Sequence, residues 1–339
     1  MAKTFFFRVL LSIILLTFIF SSFPTISICE IQTITHTVKQ SFGGSQSPDD
    51  ARIAAVAKAK REALELAGTY IESLTVVKNS QVDKDEILAL AAGILTTEVV
   101  SQKNYVSGDA FGIDIVVKIV VDTSVLENRV KKLLQDTTHL DQLNQARIRE
   151  KLLLAKIALL EGENRKSGQS DQKQANLKKE FQDASRGLAA VGWYDKANAL
   201  WIDGKFTDSQ KAIEYMTNGI GLQADARAYY NRGVAYKSLG QYQRSIEDYT
   251  LAILLKPDYI QAYNNRGIAY VDLAQYQLAI EDYNQIILLK PDDANAYNNR
   301  GISYILSNKR QEGCHDVQKA CELGNCRGYE FAKGQGHCY

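Results

Sequence analysis

The strongest constraint on this chain is a phrase that it writes three times. "YNRGVAY" at Tyr230–Tyr236 returns as "YNNRGIAY" at Tyr263–Tyr270 and as "YNNRGISY" at Tyr297–Tyr304. Gly233, Gly267 and Gly301 stand 34 residues apart; Tyr229, Tyr263 and Tyr297 keep the same step, and Pro257 matches Pro291. A period of this length means units that cannot bury their apolar faces alone and do so by stacking on their neighbours. Each unit reads as two helices. The glycine removes a side chain where the first helix is crossed by the second, and Ser245, Ala279 and Gly313 are placed to face it. Tyr229, Tyr236, Tyr242 and Tyr249, then Tyr263, Tyr270, Tyr276 and Tyr283, supply the large wedges between helices. Pro257 and Pro291 cannot continue a helix and so end the second one.

This pattern resembles the tetratricopeptide repeat (TPR). A degenerate earlier copy is legible: Trp193 takes a wedge place, Ala197 the glycine place, and "AIEYMTNGI" (Ala212–Ile220) aligns with "SIEDYTLAI" (Ser245–Ile253), with three extra residues in its turn. A last copy has Arg310 for the inter-helix tyrosine and Asn325 for the terminal proline. The reading is four repeats, 190–225, 226–259, 260–293 and 294–327, with atypical ends acting as caps. The resemblance implies an α-solenoid whose first helices line a concave groove that binds a protein or peptide. Asn231, Asn265 and Asn299, two residues before each glycine, fall on that face, with Asn264 and Asn298 beside them and Asn198 one residue out of step. Uncharged amides can pair with the main chain of an extended peptide. The plain alternative is a helix-start phrase with solvated amides. TPR domains that clamp two carboxylates use lysines, asparagines and an arginine on successive first helices; the matching Tyr194, Asn198, Asn231, Gln261 and Asn265 keep the asparagines and none of the cations, which argues against that ligand.

The N-terminal part differs. Phe111, Ile113, Ile115, Val117, Ile119 and Val121 alternate strictly, the period of a strand with one buried face. Tyr105–Ser107, joined through "SGDAFG", is its expected hairpin partner, and Ile31–Val38 a weaker first strand. A long helix begins near "SPDD", where Ser47 can cap, and Ile53, Val56, Ala63, Ala67, Tyr70 and Leu74 give it one apolar face. The stretches "ARIAAVAKAKREALELAGTYIESLTVV", "DEILALAAGIL" and "YVSGDAFGIDIVVKIVVD" resemble the small N-terminal domain of flagellar assembly protein T and related periplasmic lipoproteins. In that family the domain assembles with other proteins and has no catalytic set. The expected fold is thus mainly α: an α+β domain (β-α-α-β-β) at 30–122, a helical hairpin connector at 123–189 with its exposed turn at Glu161–Asn176, the repeats, and a C-terminal cap at 328–339.

Ahead of this, Lys3 and Arg8 precede the apolar run Val9–Phe20, too short to span a bilayer comfortably and suited to a secretory signal. Ser27 and Cys29 place cleavage after Cys29, giving a signal peptide at 1–29 and an exported, periplasmic or envelope-associated product. Membrane attachment would need an uncleaved signal or a lipid on Cys29, and Ile28 is not the small residue that lipidation requires. Export leaves Cys314, Cys321, Cys326 and Cys338, an even count in an oxidising compartment. If the last repeat turns at "GNC" into an antiparallel helix, Arg327–Lys333, Cys314 meets Cys338 and Cys321 closes on Cys326. Zinc and other pairings are the alternatives, though no C-x-x-C pair is present.

A formal net charge of +1, with 40 basic and 39 acidic residues, gives no electrostatic case for nucleic acid. His36, His139, His315 and His337 lie in no nucleophile or metal motif, and no phosphate-binding loop or cofactor motif is present. Glu247–Asp248 and Glu281–Asp282 recur in "IEDY" and read as a solvated helix face. The expectation is a non-enzymatic scaffold without a cofactor, whose partner and oligomeric state the sequence does not name; the runner-up is a structural component of an envelope assembly acting through the N-terminal domain.

Overall fold

In a computed structural model the described residues are 31–42, 46–72, 74, 77, 82–107, 110–164 and 170–338. The expected signal peptide, the hairpin turn at 108–109 and residues 165–169 of the connector turn lie outside them. The alternating run becomes the central strand β3 (Ala110–Asp122), between β1 (Ile31–Phe42) and β2 (Thr96–Ser107), antiparallel to both. Ile113, Ile115, Val117, Ile119 and Val121 are buried, whereas Phe111, at the open end of the strand, is 57% exposed. β2 is much longer than the three residues expected. Its polar edge-strand composition and a bulge between Val99 and Ser101 hide the alternation that marks a strand.

Helix α1 (Pro48–Glu72) starts where the Ser47 hydroxyl accepts from the Asp50 N–H at 3.1 Å. The face laid on the sheet keeps Val56, Ala63 and Ala67 as expected, with Leu74 just beyond the helix, and adds Leu64 and Ile71. Ala51, Ala55, Ala59, Ala63 and Ala67 are all buried, so backbone and strands approach closely, while Ile53 turns aside to the Phe181 cluster. Helix α2 (Lys84–Ile94) has a reciprocal capping box between Asp83 and Glu86.

Three helices follow the sheet: α3 (Thr123–Gln135), α4 (Thr137–Asn164) and α5 (Asp171–Asn198). α4 and α5 form the hairpin, zipped by Ile157, Leu160, Leu177 and Phe181, but α5 does not stop at 189. It runs unbroken past the expected start of the repeats, with no proline to end it, and its last turns serve as the first helix of the stack. A buried ionic cluster locks this junction. Arg147, 2% exposed, binds Glu150 at 3.0 Å and Asp195 of α5, and Arg61 of α1 donates to the Arg147 carbonyl at 3.3 Å.

The stack continues as α6 (Ser209–Leu222), α7 (Ala226–Ser238), α8 (Tyr242–Leu255), α9 (Ile260–Asp272), α10 (Tyr276–Leu289), α11 (Ala294–Leu306) and α12 (Arg310–Glu322), closed by α13 (Arg327–Gly334). The extra turn residues of the first repeat form a small hairpin, β4 (Trp201–Ile202) and β5 (Lys205–Phe206), around Asp203 and Gly204 at φ of 52° and 77°. The repeat glycines meet different neighbours from those expected. A side chain at Gly233 would strike the Tyr249 ring at 2.7 Å and one at Gly267 the Tyr283 ring at 2.8 Å, so the tyrosines, not Ser245 and Ala279, demand the glycine. Gly301 alone of the three faces a small residue, with the Gly313 carbonyl 2.9 Å from its missing Cβ. Cys314 is bonded to Cys338 with their Cα atoms 5.5 Å apart, and Cys321 to Cys326.

His139, at the start of α4, is buried beside Trp201, whose indole N–H donates to Asp136 at 3.1 Å. Burial lowers the imidazole pKa from 6.5 to about 4, against the opposing pull of Asp136. Between these values the unfolded chain binds the proton and the folded one does not, so stability rises with pH across that window. The stabilisation is full above pH 6.5 and falls by about 3 kcal/mol as the pH drops to 4. Urea unfolding of His139→Gln against pH should lose that slope.

Candidate functional site

The geometry of the groove is set one layer beneath it. In each of the last three repeats the arginine before the glycine forks onto the aspartate sixteen residues on. Arg232 donates to the two Asp248 oxygens at 2.8 and 2.7 Å, Arg266 to Asp282 at 3.0 and 2.6 Å, and Arg300 to Asp316 at 2.6 and 2.8 Å. The third nitrogen reaches back to the preceding repeat: Arg232 to Thr217, Arg266 to Thr250 and Arg300 to Asn284, at 3.0, 2.9 and 2.7 Å. Tyrosines three before and four after each arginine flank the guanidinium, for instance Tyr263 and Tyr270 at 5.6 and 6.0 Å from Arg266. The "IEDY" carboxylates are therefore a solvated face only in their glutamates. Glu247 and Glu281 are exposed, but Asp248 and Asp282 are each only 3% exposed, because their helical phase turns them inward onto the arginines. Burial pushes both carboxyls up from the ordinary range, and the arginine forks oppose it.

Above this layer the concave face divides in two. Its first half is filled by α4. Asn231 is buried and donates to Gln142 of α4 at 3.1 Å, Arg149 of α4 pairs with Asp225, and Asn198 is buried against the same helix beside Gln142. Neither Asn198 nor Asn231 is thus open to a partner, since the connector lies over them.

The second half is a cleft of about 750 Å³, walled by Tyr230 at one end and by α13 at the other. Asn264, Asn265, Asn298 and Asn299 line it, joined by Gln261, Asn295 and Asn325. A directed relay runs through these amides. The Gly328 N–H of α13 donates to Asn298 at 2.9 Å, Asn298 to Asn299 at 3.1 Å and Asn299 to Asn264 at 3.1 Å. Beside it Asn265 donates to the Tyr230 hydroxyl at 2.9 Å, whose pKa burial pushes up to about 12, so it stays protonated. Both residues line the cleft, and among the described residues neither the Asn264 amide nitrogen nor the Asn265 side-chain carbonyl takes a hydrogen bond: a donor group and an acceptor, the complement of a peptide group. Asn298 is largely spent on holding α13. Gln261 enters the sequence reading only as a carboxylate-clamp position and Asn295 and Asn325 not at all as groove residues, although Gln261 and Asn295 are 34 apart and three residues ahead of Asn264 and Asn298 on the same helix face.

Residues 226–259 and 260–293 match the model of the tetratricopeptide repeat family, so the chain carries TPR repeats, which are generally protein-interaction scaffolds and typically non-enzymatic. None of the curated proteins compared with the chain matches it. Among solved structures it is similar to MamA, residues 41 to the end, from Desulfovibrio magneticus RS-1: 24% identity, 40% of this chain and 75% of that one covered, TM-score 0.37. It is also similar to YrrB, a TPR protein with an unusual peptide-binding site, at 16% identity, 54% and 89% coverage and a TM-score of 0.40. The first TPR of Spaghetti (RPAP3), bound to HSP90 peptide SRMEEVD, is 25% identical over 32% of this chain and 88% of that one, with a TM-score of 0.31. The likeness of the N-terminal domain to flagellar assembly protein T is not among what these matches show.

Removing one partner of a buried fork strands the other. Asp282→Ala should lower stability by about 3–5 kcal/mol, whereas Arg266→Met combined with Asp282→Leu should cost far less, because no charge is left buried alone. Equilibrium urea unfolding of the single and double variants checks the difference.

Proposed function

We propose that this chain is an exported, non-enzymatic scaffold that holds an extended segment of a partner protein in the cleft of its third and fourth repeats. The observation that carries this is the amide-lined cleft itself, in which Asn264 and Asn265 offer a donor and an acceptor side by side. Amides at this density bind main chain without demanding a charged partner. Export rests on the basic and apolar N-terminus and on the cysteines paired at the other end.

A second reading, assembly through the N-terminal domain, has one observation behind it. Val100 and Val106 of β2 and Val120 of β3 are exposed on a sheet in which, among the described residues, β2 is one of the two edge strands. The two readings separate on the asparagines, which only a cleft binder needs.

Peptides selected from a random phage-displayed library on the full, oxidised chain supply the probe. Asn264→Ala with Asn265→Ala should weaken their binding about tenfold, the loss of one or two hydrogen bonds, with the chain still folded by circular dichroism. Failure to enrich any peptide would sink the cleft reading and favour assembly. For export, N-terminal sequencing of the protein recovered from the producing cells should begin at Glu30; a start at the initiator methionine argues against cleavage.

A further inference from the structure

We infer that α13 is a wall of the ligand cleft as well as the end of the stack, and that its Phe331 anchors an apolar side chain of the bound segment. This rests on the cleft reading above and names the chemistry of the ligand. A helix that served only to seal the last repeat would turn its apolar residues onto α11 and α12. Gly328 and Ala332 do so, the latter within the cluster of Val317, Ile302, Ile305 and Tyr329. Phe331 does not: it is 59% exposed and lines the cleft with Ile302 and Ile286. A phenyl ring held in water beside a row of amides adds nothing to the stack, but it offers a ligand the apolar contact that amides cannot.

The two walls also set the length and charge of what fits. From Tyr230 on α7 to α13 there are three steps of roughly 8–10 Å between neighbouring first helices, or about 25 Å. That takes an extended segment of about seven residues. Asp293 and Arg327 are the charged residues of the lining, of opposite sign, and Asp293 is already held by Lys290 at 3.3 Å and the Ala296 N–H at 3.0 Å. The occupant that suits this lining is an uncharged extended segment with its apolar side chain toward α13.

Eight residues are too few for a helix to hold its shape alone, so the position of Phe331 depends on its tethers. Cys326, at the N-cap of α13, is bonded to Cys321, and Cys338, just past its end, to Cys314. The third tether is the Gly328 N–H on Asn298, and a Cβ at Gly328 would run into the Asn298 side-chain oxygen.

The test uses random heptapeptides displayed on phage, selected on the full chain with its disulfides formed, and then measured by fluorescence titration. The expected consensus has no net charge and one apolar side chain near one end. Phe331→Ala, a surface change that leaves the melting temperature in place, should weaken binding about tenfold, Phe331→Leu should keep most of it, and Gly328→Ala should weaken it too. Circular dichroism melting shows whether each variant stays folded. If the selected peptides lose affinity for the Asn264→Ala, Asn265→Ala protein but bind Phe331→Ala like the parent, the wall proposal falls while the cleft reading stands. A consensus of charged peptides overturns it as well. If no peptide is enriched, the cleft reading itself has failed, and this inference with it.

Discussion

The Arg–Asp fork at the heart of the last three repeats is the interaction on which the concave surface depends. Arg232, Arg266 and Arg300 each tie the two helices of their own repeat through a buried carboxylate and then reach back to the second helix of the repeat before. One side chain therefore fixes both the angle within a repeat and the step between repeats. A guanidinium suits this because its planar fork presents several donors in a rigid plane; a lysine could satisfy one contact at a time. The asparagines sit one residue ahead of these arginines, so the spacing of the groove amides is inherited from the forks beneath.

The N-terminal half is not a separate body hung on a flexible tether. α5 is at once the second arm of the connector and the first helix of the stack, and Arg147 ties α4 to it from a position almost wholly removed from water. Since α1 packs on both helices and Arg61 reaches the Arg147 carbonyl, the helix that covers the sheet, the hairpin and the first repeat share one ionic cluster. The consequence for the groove is asymmetry, with its first half filled by α4 and its second half open.

What was legible in the sequence follows from what repeats. Glycine, tyrosine and proline at a 34-residue step carried the helix pairs, and strict alternation carried β3. Features without a period stayed hidden. β2 was shortened in the reading because an edge strand with a bulge keeps no clean alternation, and the repeat boundary at 190 was placed inside α5 because a stacking register need not coincide with a helix end. The arginine is as periodic as the glycine, yet its partner lies sixteen residues away on another helix, beyond any local pattern, so the sequence alone makes Asp248 and Asp282 look solvent-facing. The identity of the groove face was legible; its occupation by α4 was not, because nothing in Gln142 or Arg149 marks them as groove-filling until the hairpin is folded back.

That occupation bears on what the open half can hold. Asn231 stands in the same repeat position as Asn265 and Asn299, and the group that meets it is the side-chain carbonyl of Gln142, an amide oxygen at 3.1 Å. A peptide bond presents the same oxygen, on the same kind of carbon, with the same preference for an N–H in its plane. The first half of the groove thus contains an intramolecular instance of the contact proposed for the second, with α4 in the place of a partner. It also supports the absence of a charge requirement, since a neutral amide is enough to bury Asn231 without leaving it unsatisfied. Where α4 stops, at the Tyr230 wall, the next asparagine in the ladder turns to the tyrosine hydroxyl with its donor and keeps its carbonyl for whatever enters the cleft.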